Sequence, residues 1–295
     1  MRHPRKSASA VGEQPSRRQV IVTALGSGFA LAVRPVSAAT ITTSAEGIVA
    51  DEVKIPVGGD SIPGYRAMPG GKPKGKGFPV ILVVQEVFGV HEHIKDVCRR
   101  FAKQGYFAVA PELYARQGDV SKLTDSKEIM AKVVSKVPDE QVLGDLDAVI
   151  PWAKSSGAAD VSRVGVIGFC WGGRIVWLYS AHNPNLRAGV AFYGRIVGDK
   201  DPLHPQHPID IAGSLKAPVL GLYGGQDQGI PVATVEQMQK ALAASSSKAA
   251  HGCEFKIYPE AGHAFFADYR PSYRKDAADD AWPRALAFLK KHGAG

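Results

Sequence analysis

A single α/β domain, built on a mostly parallel, doubly wound sheet, is the fold class that the sequence predicts. Two patterns carry this expectation. Apolar, β-branched runs alternate with stretches of helical spacing, each stretch long enough for a crossover connection. The chemistry-bearing candidates also fall just past the ends of those runs, where sites form in open α/β sheets. A third observation is local: Gly168-Phe169-Cys170-Trp171-Gly172-Gly173 joins an apolar run to a helix-compatible one.

Taken in order, residues 39–47 are rich in Thr, Ser and Ala and read as loose chain. Asp51 to Val57 and Gly64 to Met68 are candidate edge strands, and residues 69–77 have turn chemistry throughout. Phe78 to Val84 is a continuous apolar run, as expected of a strand buried on both faces. The spacing of Ile94, Val97 and Phe101 predicts a helix over 93–104, closed by Gly105, before a strand over 106–110 that Pro111 stops. Residues 113–138 are polar and helix-like without a clear strand. A helix over 140–155 precedes the strand 164–169, and 188–193 is the next buried strand. Residues 194–215, with several Pro and His, read as a long loop. Strand 219–223, helix 232–244, strand 254–258 and a closing helix over 276–291 complete the chain.

The central hexapeptide has the G-x-nucleophile-x-G form of a nucleophile elbow, with Cys170 as the nucleophile. A strand must turn into a helix within about two residues there, and glycines without Cβ allow the close approach. The following helix N-terminus carries partial positive charge, which favours thiolate over thiol. Two partners lie downstream, each after an apolar strand: Asp227 in Gly224-Gly225-Gln226-Asp227, and His263 in Glu260-Ala261-Gly262-His263. Nucleophile, acid, base is the chain order of α/β-hydrolases. Thiol attack on a carbonyl needs a neighbouring imidazole, and that imidazole needs a carboxylate to fix its tautomer. The expected oxyanion donors are the backbone N–H groups of Trp171 and Val87.

Together with Val84-Gln85-Glu86-Val87-Phe88-Gly89-Val90 and Pro111-Glu112-Leu113-Tyr114-Ala115-Arg116, these motifs resemble the dienelactone hydrolase (carboxymethylenebutenolidase) family from about residue 50 onward. The resemblance implies one α/β-hydrolase domain, a Cys170-His263-Asp227 triad, no metal or other cofactor, and a small-molecule ester or lactone substrate. It also implies that Glu86 contacts the resting cysteine and is displaced when substrate binds. A carboxylate beside a thiol would oppose a second negative charge. Tyr193 matches a family aromatic at a strand end, placed to line the pocket, and Arg116 matches the Leu-Tyr-Ala-Arg motif, as a substrate contact or equally as a structural salt-bridge former. The family arginine expected four residues after the histidine is Ala267 here, and Arg270 lies nearby out of register. Residues 117–139 offer no second arginine, so recognition of a lactone carboxylate does not carry over residue by residue. Thioester or activated-amide hydrolysis on the same triad, or a catalytically silent binding protein, are the alternative readings.

Two histidine groups stand apart from this constellation. His91-Glu92-His93 has no H-E-x-x-H spacing and reads as a helix N-terminal surface rather than a metal site. His204 and His207 fall in the Pro-rich loop and are expected to face solvent.

The chain has 295 residues, is 45% hydrophobic and carries a formal charge of +8. Six basic residues against Glu13 alone, or five of those eight charges, lie in residues 1–38. The remaining balance is ordinary, which argues against nucleic acid as a partner. Ser16-Arg17-Arg18-Gln19-Val20-Ile21, an apolar stretch over 20–33 and Val36-Ser37-Ala38-Ala39 resemble a twin-arginine export signal with a small-residue cleavage site. The apolar stretch is too short to span a membrane. The expectation is a precursor handled by the twin-arginine machinery and a periplasmic mature domain over 39–295, as a monomer or small homo-oligomer. N-terminal sequencing of the exported protein tests the start site; Met1 or a residue far from 39 would reject it. Cys98, Cys170 and Cys253 form no disulfide framework and are expected to be reduced.

Overall fold

The computed structural model describes Met1 and residues 40–295, apart from 74 and 124. The export motif and the residues flanking its cleavage site lie outside the described residues. Eight strands form one sheet: β1 (Ile48–Val57), β2 (Asp60–Pro69), β3 (Phe78–Val84), β4 (Phe107–Pro111), β5 (Ala159–Phe169), β6 (Leu186–Phe192), β7 (Val219–Gly224) and β8 (Glu254–Tyr258). Their spatial order is β1-β2-β4-β3-β5-β6-β7-β8. β1 and β2 pair antiparallel at one edge, and β2 meets β4 antiparallel. From β4 to β8 every pairing is parallel. This is the doubly wound, mostly parallel sheet of an α/β-hydrolase fold.

The helices are α1 (Glu92–Lys103), α2 (Ser126–Lys132), α3 (Asp139–Ser155), α4 (Trp171–His182), α5 (Val232–Ala243), α6 (Lys248–His251) and α7 (Lys275–Lys291). β5 shows that both sheet faces are covered. A Cβ on Gly165 would meet Leu289 of α7, whereas one on Gly168 would meet Val176 of α4. Residues three apart on a strand point to opposite faces, so α4 and α7 pack on opposite sides. Each layer is tied internally as well. Phe101 of α1 stacks edge-on against Trp282 of α7 at 4.7 Å, and the Tyr179 hydroxyl of α4 donates to Asp147 of α3 at 2.9 Å.

β3, β5, β6, β7 and β8 are consecutive parallel neighbours, so their C-terminal ends share one rim. The register aligns them closely: Val84 pairs with Gly168, Phe169 with Phe192, and Gly224 with Tyr258. Glu86, Cys170, Tyr193, Asp227 and His263 therefore leave the sheet on one side.

Several segments differ from the sequence expectation. β5 begins at Ala159, earlier than its apolar run, because Asp160 caps Ser162 and pairs with Arg163 while Phe78 and Pro79 extend β3 alongside. The polar stretch 112–138 holds only α2 and two 3-10 turns, at Val120–Lys122 and Val134–Lys136. The long loop after β6 contains a 3-10 helix, Pro208–Ser214. α6, one helical turn, has no apolar stripe to announce it.

Candidate active site

The elbow has the strain that its sequence implies. Cys170 sits at φ 55° and ψ −113°, immediately before the first residue of α4. A Cβ on Gly168 would strike the Gly172 carbonyl, and one on Gly172 would come within 2.5 Å of Gln85 O. The amide of Cys170 donates to Phe192 O of the neighbouring strand at 3.1 Å, fixing the turn to the sheet. Among the described residues, the non-glycine positions with positive φ are Cys170, Tyr193 and Ala264. All three belong to this rim. Strain of that kind persists where surrounding contacts over-determine it, and it concentrates at functional sites.

Asp227 and His263 meet across the β7 and β8 ends. His263 Nδ1 donates to Asp227 Oδ2 at 2.7 Å. The other carboxylate oxygen of Asp227 accepts from the Gly229 and Ile230 amides at 2.9 and 3.1 Å, so the same residue forms a turn and orients the imidazole. The Tyr193 ring stands edge-on to His263, 5.1 Å between centroids, and limits its rotation. Cys170 lines the same cavity as His263, and its charge acts on the imidazole. Burial works against a charged ring here. The negative charge available on Cys170 and the Asp227 carboxylate outweigh it and push His263 up to about 10. Sulfur, imidazole and carboxylate thus converge on one point.

Trp171 opens α4, where the first N–H groups have no carbonyl partner inside the helix. Val87 follows β3 and faces the same space. Its loop is braced from β4. Glu112 accepts from the Gln85 side chain at 2.9 Å and from the Val90 amide at 2.8 Å, and Gln85 accepts from the Leu113 amide at 3.2 Å. The two expected oxyanion donors are therefore carried on a helix end and on a cross-braced loop.

Glu86 is completely buried. Its Oε2 accepts from the Tyr269 hydroxyl at 2.6 Å and pairs with His91 Nε2 at 3.2 Å, while Oε1 has no hydrogen-bond partner. Burial would raise its carboxyl. The hydrogen bond and charge of His91, with His93 and Arg270 behind, reverse that and hold it at about 2. The contact with Cys170 that the family resemblance implies is not among its hydrogen bonds, because two better donors face it from the other side. The 91–93 segment is accordingly no plain helix surface. His91 is half-buried on Glu86, and His93 is buried on Asp268 at 3.2 Å.

Cys170 and His263 open into a cavity of about 730 Å³. Its apolar lining is Val87, Trp171, Met130, Val134 and Ile230, alongside Ser135, Gln226 and Gln228. The loop after β6 adds Arg195, Asp199, Asp201, His204 and His207. The last two correct the expectation of solvent-facing histidines. His204 is pinned to Asp201 and to Val137 O, and buried His207 bridges Arg174 Nε (3.1 Å) and Asp199 O (2.8 Å). Tyr193 lines the cavity as expected, whereas Arg116 and Arg270 are not among its lining residues. Arg116 pairs with buried Asp145 on α3, and the Arg270 guanidinium lies 5.6 Å over the Phe88 ring.

Sequence reasoning missed two arginines. Arg174, on the first turn of α4, makes a bidentate pair with Asp139 at 2.6 and 2.7 Å, so its charge is neutralised within the wall. Arg195 is exposed to the cavity and has no ion pair or hydrogen bond among the described residues. Its place two residues beyond a site-facing strand end was the signal that could have found it.

The three thiols are free and differ in environment. Burial pushes Cys98 far up, and pushes Cys253 up to about 11. Only Cys170 lines the cavity. Iodoacetamide at neutral pH is therefore expected to alkylate one cysteine, with peptide mapping placing the label on 170. Equal labelling of Cys253 would contradict this account of the three sites.

The chain matches the model of the dienelactone hydrolase family over residues 62–293. A Methylorubrum extorquens protein named "Putative carboxymethylenebutenolidase" is 62% identical over 279 residues, covering 94% of each chain. An Escherichia coli K12 protein of the same name is 51% identical, covering 92% of this chain and 98% of its own. The crystal structure of a "Putative Dienelactone Hydrolase" from Klebsiella pneumoniae superposes with a TM-score of 0.79 at 52% identity, over 83% of this chain and 99% of that one. A family match that runs from β2 through the rim bearing Cys170, Asp227 and His263 leaves one conclusion: this chain belongs to the dienelactone hydrolase family.

Proposed function

We propose that the protein hydrolyses an ester or lactone through a thioester on Cys170. The observation that carries this reading is the 2.7 Å His263–Asp227 hydrogen bond beside a cavity that both His263 and the elbow cysteine line. The membership of the family and the names of its relatives support the substrate class. The thiolate of Cys170 attacks the acyl carbon, and the carbonyl electron pair moves onto oxygen. That oxyanion lies against the Trp171 and Val87 amides. Collapse breaks the acyl–oxygen bond, and His263 gives its proton to the departing alkoxide. Water then enters, His263 takes its proton, and attack on the thioester releases the acid and restores the thiolate. Asp227 holds the ring through both proton transfers. In this reading Glu86, ionised between His91 and Tyr269, is in the position that leaves the sulfur to His263; a move of its carboxylate toward Cys170 would oppose the thiolate. Hydrolysis of p-nitrophenyl acetate with a trapped acyl-enzyme, seen by mass spectrometry on the peptide containing Cys170, tests the mechanism. Turnover with the acyl group on another residue would reject it.

Arg195 bears on substrate charge, since the other arginine on the cavity wall, Arg174, is spent on Asp139. Arg195→Ala is expected to lower the preference for a carboxylate-bearing ester, mono-p-nitrophenyl succinate, over the neutral acetate by about fivefold to tenfold. That corresponds to ~1 kcal/mol for a half-solvated ionic hydrogen bond. The measurement is the ratio of the two kcat/KM values. An unchanged ratio would remove Arg195 from substrate recognition.

A further inference from the structure

The large apolar side chains that the fold leaves exposed are not scattered. Among the described residues, apart from Met1 and Ile41 near the N-terminus, they are Met130 (42% exposed), Val197 (41%) and Leu203 (38%). Single exposed apolar residues are ordinary, but these three gather at one place. Met130 itself lines the cavity that contains Cys170. Val197 lies between lining residues Arg195 and Asp199, and Leu203 between Asp201 and His204. The two segments that carry them are joined: Leu203 O accepts from the Asp139 amide at 2.9 Å, and His204 Nε2 bonds Val137 O at 3.0 Å. They form a lip over one mouth.

The underside of that lip is rigid. Ile129, Val133, Val134 and Val137 are buried in the core, and Asp125 caps the start of α2 by accepting from the Lys127 and Glu128 amides. Met130 is thus held outward from an anchored turn. Val134, Val87, Ile230 and Trp171, the residue after Cys170, line the same cavity as Met130. A cavity of about 730 Å³ falls in the range of ~300–1,000 Å³ that encloses a drug-sized ligand. A single small lactone ring would leave most of it unfilled.

We propose that this apolar lining is a subsite for an extended alkyl arm of the substrate, running from the carbonyl at Cys170 across Val134 to Met130. The substrate class is then an ester or lactone with a medium-length apolar chain, rather than a compact polar ring. The occupant follows from the lining: one cavity holds the nucleophile and five apolar side chains, the exposed Met130 among them. Methionine suits such a lining, because its flexible thioether adapts to chains of different length. The inference rests on the reading of Cys170 only for where the carbonyl sits.

The test reads binding, so it does not depend on turnover. In the full chain carrying Cys170→Ala, calorimetry would follow butyl, hexyl and octyl methyl ketone, which are uncharged mimics of the acyl carbonyl. The dissociation constant is expected to fall about twofold to fourfold per added methylene. Met130→Lys in the same background is expected to flatten that dependence, and Met130→Leu to restore it. Met130 is exposed, so neither change threatens the fold. Equal affinity for butyl and octyl ketone would overturn the proposal, as would an undiminished chain-length dependence in Met130→Lys. Light scattering supplies the remaining outcome: a dimer that Met130→Lys and Leu203→Lys dissociate, with chain-length dependence unaltered, would make the lip a contact between copies and end the proposal. Absence of esterase activity in the wild-type chain would count against the thioester mechanism and leave this result standing.

Discussion

Cys170→Ala is expected to lower kcat/KM on p-nitrophenyl acetate by about 10⁴-fold or more. Loss of a nucleophile removes the covalent route, and only the oxyanion donors and binding remain. The expected stability effect is small, because alanine keeps the Cβ and therefore the same strain at φ 55°. Cys170→Gly separates the two effects. Glycine meets little cost at that backbone angle, so this variant is expected to be inactive yet more stable, by about 1 kcal/mol or ~2–4 °C in Tm for a domain of this size. Calorimetric melting of the two variants beside the wild type is the measurement. An active Cys170→Ala enzyme would dismiss the thioester, and a Cys170→Gly variant less stable than Cys170→Ala would dismiss the strain argument.

His263→Asn is expected to cost about 10⁴-fold or more in kcat/KM, because base and nucleophile of a triad act as a unit. Its pH profile is the sharper readout. In the wild type the imidazole keeps its proton up to about pH 10, because the Cys170 charge and Asp227 outweigh burial. The imidazolium is therefore expected to persist through neutral pH, and kcat/KM to fall as the pH rises through about 10. In His263→Asn the thiol must ionise unaided, so the residual rate is expected to climb with pH toward the ordinary cysteine value of about 8.5. The same shift bears on folding. A histidine raised above its unfolded value of about 6.5 contributes stability that is fully present below that pH and is lost as pH rises through about 10. Identical pH–rate profiles for the two proteins would mean that His263 does not share a proton with the nucleophile.

Much of the rim was legible because its parts are local. The elbow glycines, the apolar run before them and the helix after them lie within a few residues, and each requires only its neighbours to be understood. Asp227 and His263 are legible for the same reason: each follows an apolar strand, and parallel strands in register must deliver their ends to one side. What resisted reading was long-range charge pairing. Arg116 could be read as a substrate contact or as a salt-bridge former, and its partner, Asp145, lies on α3, out of reach of its own segment. His91, His93, His204 and His207 look like surface groups in sequence. They are spoken for by Glu86, Asp268, Asp201 and Arg174, none of which their own segments could announce except Asp201.

By itself the sequence determined the order of strands and helices, the turn that holds Cys170, and the three residue types that chemistry requires at successive strand ends, since periodicity and glycine sterics act over a few residues. Tertiary structure alone decided which way Glu86 faces, which arginine at the cavity is left without a counter-ion among the described residues, and that Met130 lines the cavity that holds the nucleophile. Those outcomes are settled by competition among hydrogen-bond donors and counter-ions brought together from distant segments, and a buried carboxylate or guanidinium goes to whichever partner the packed fold sets within reach.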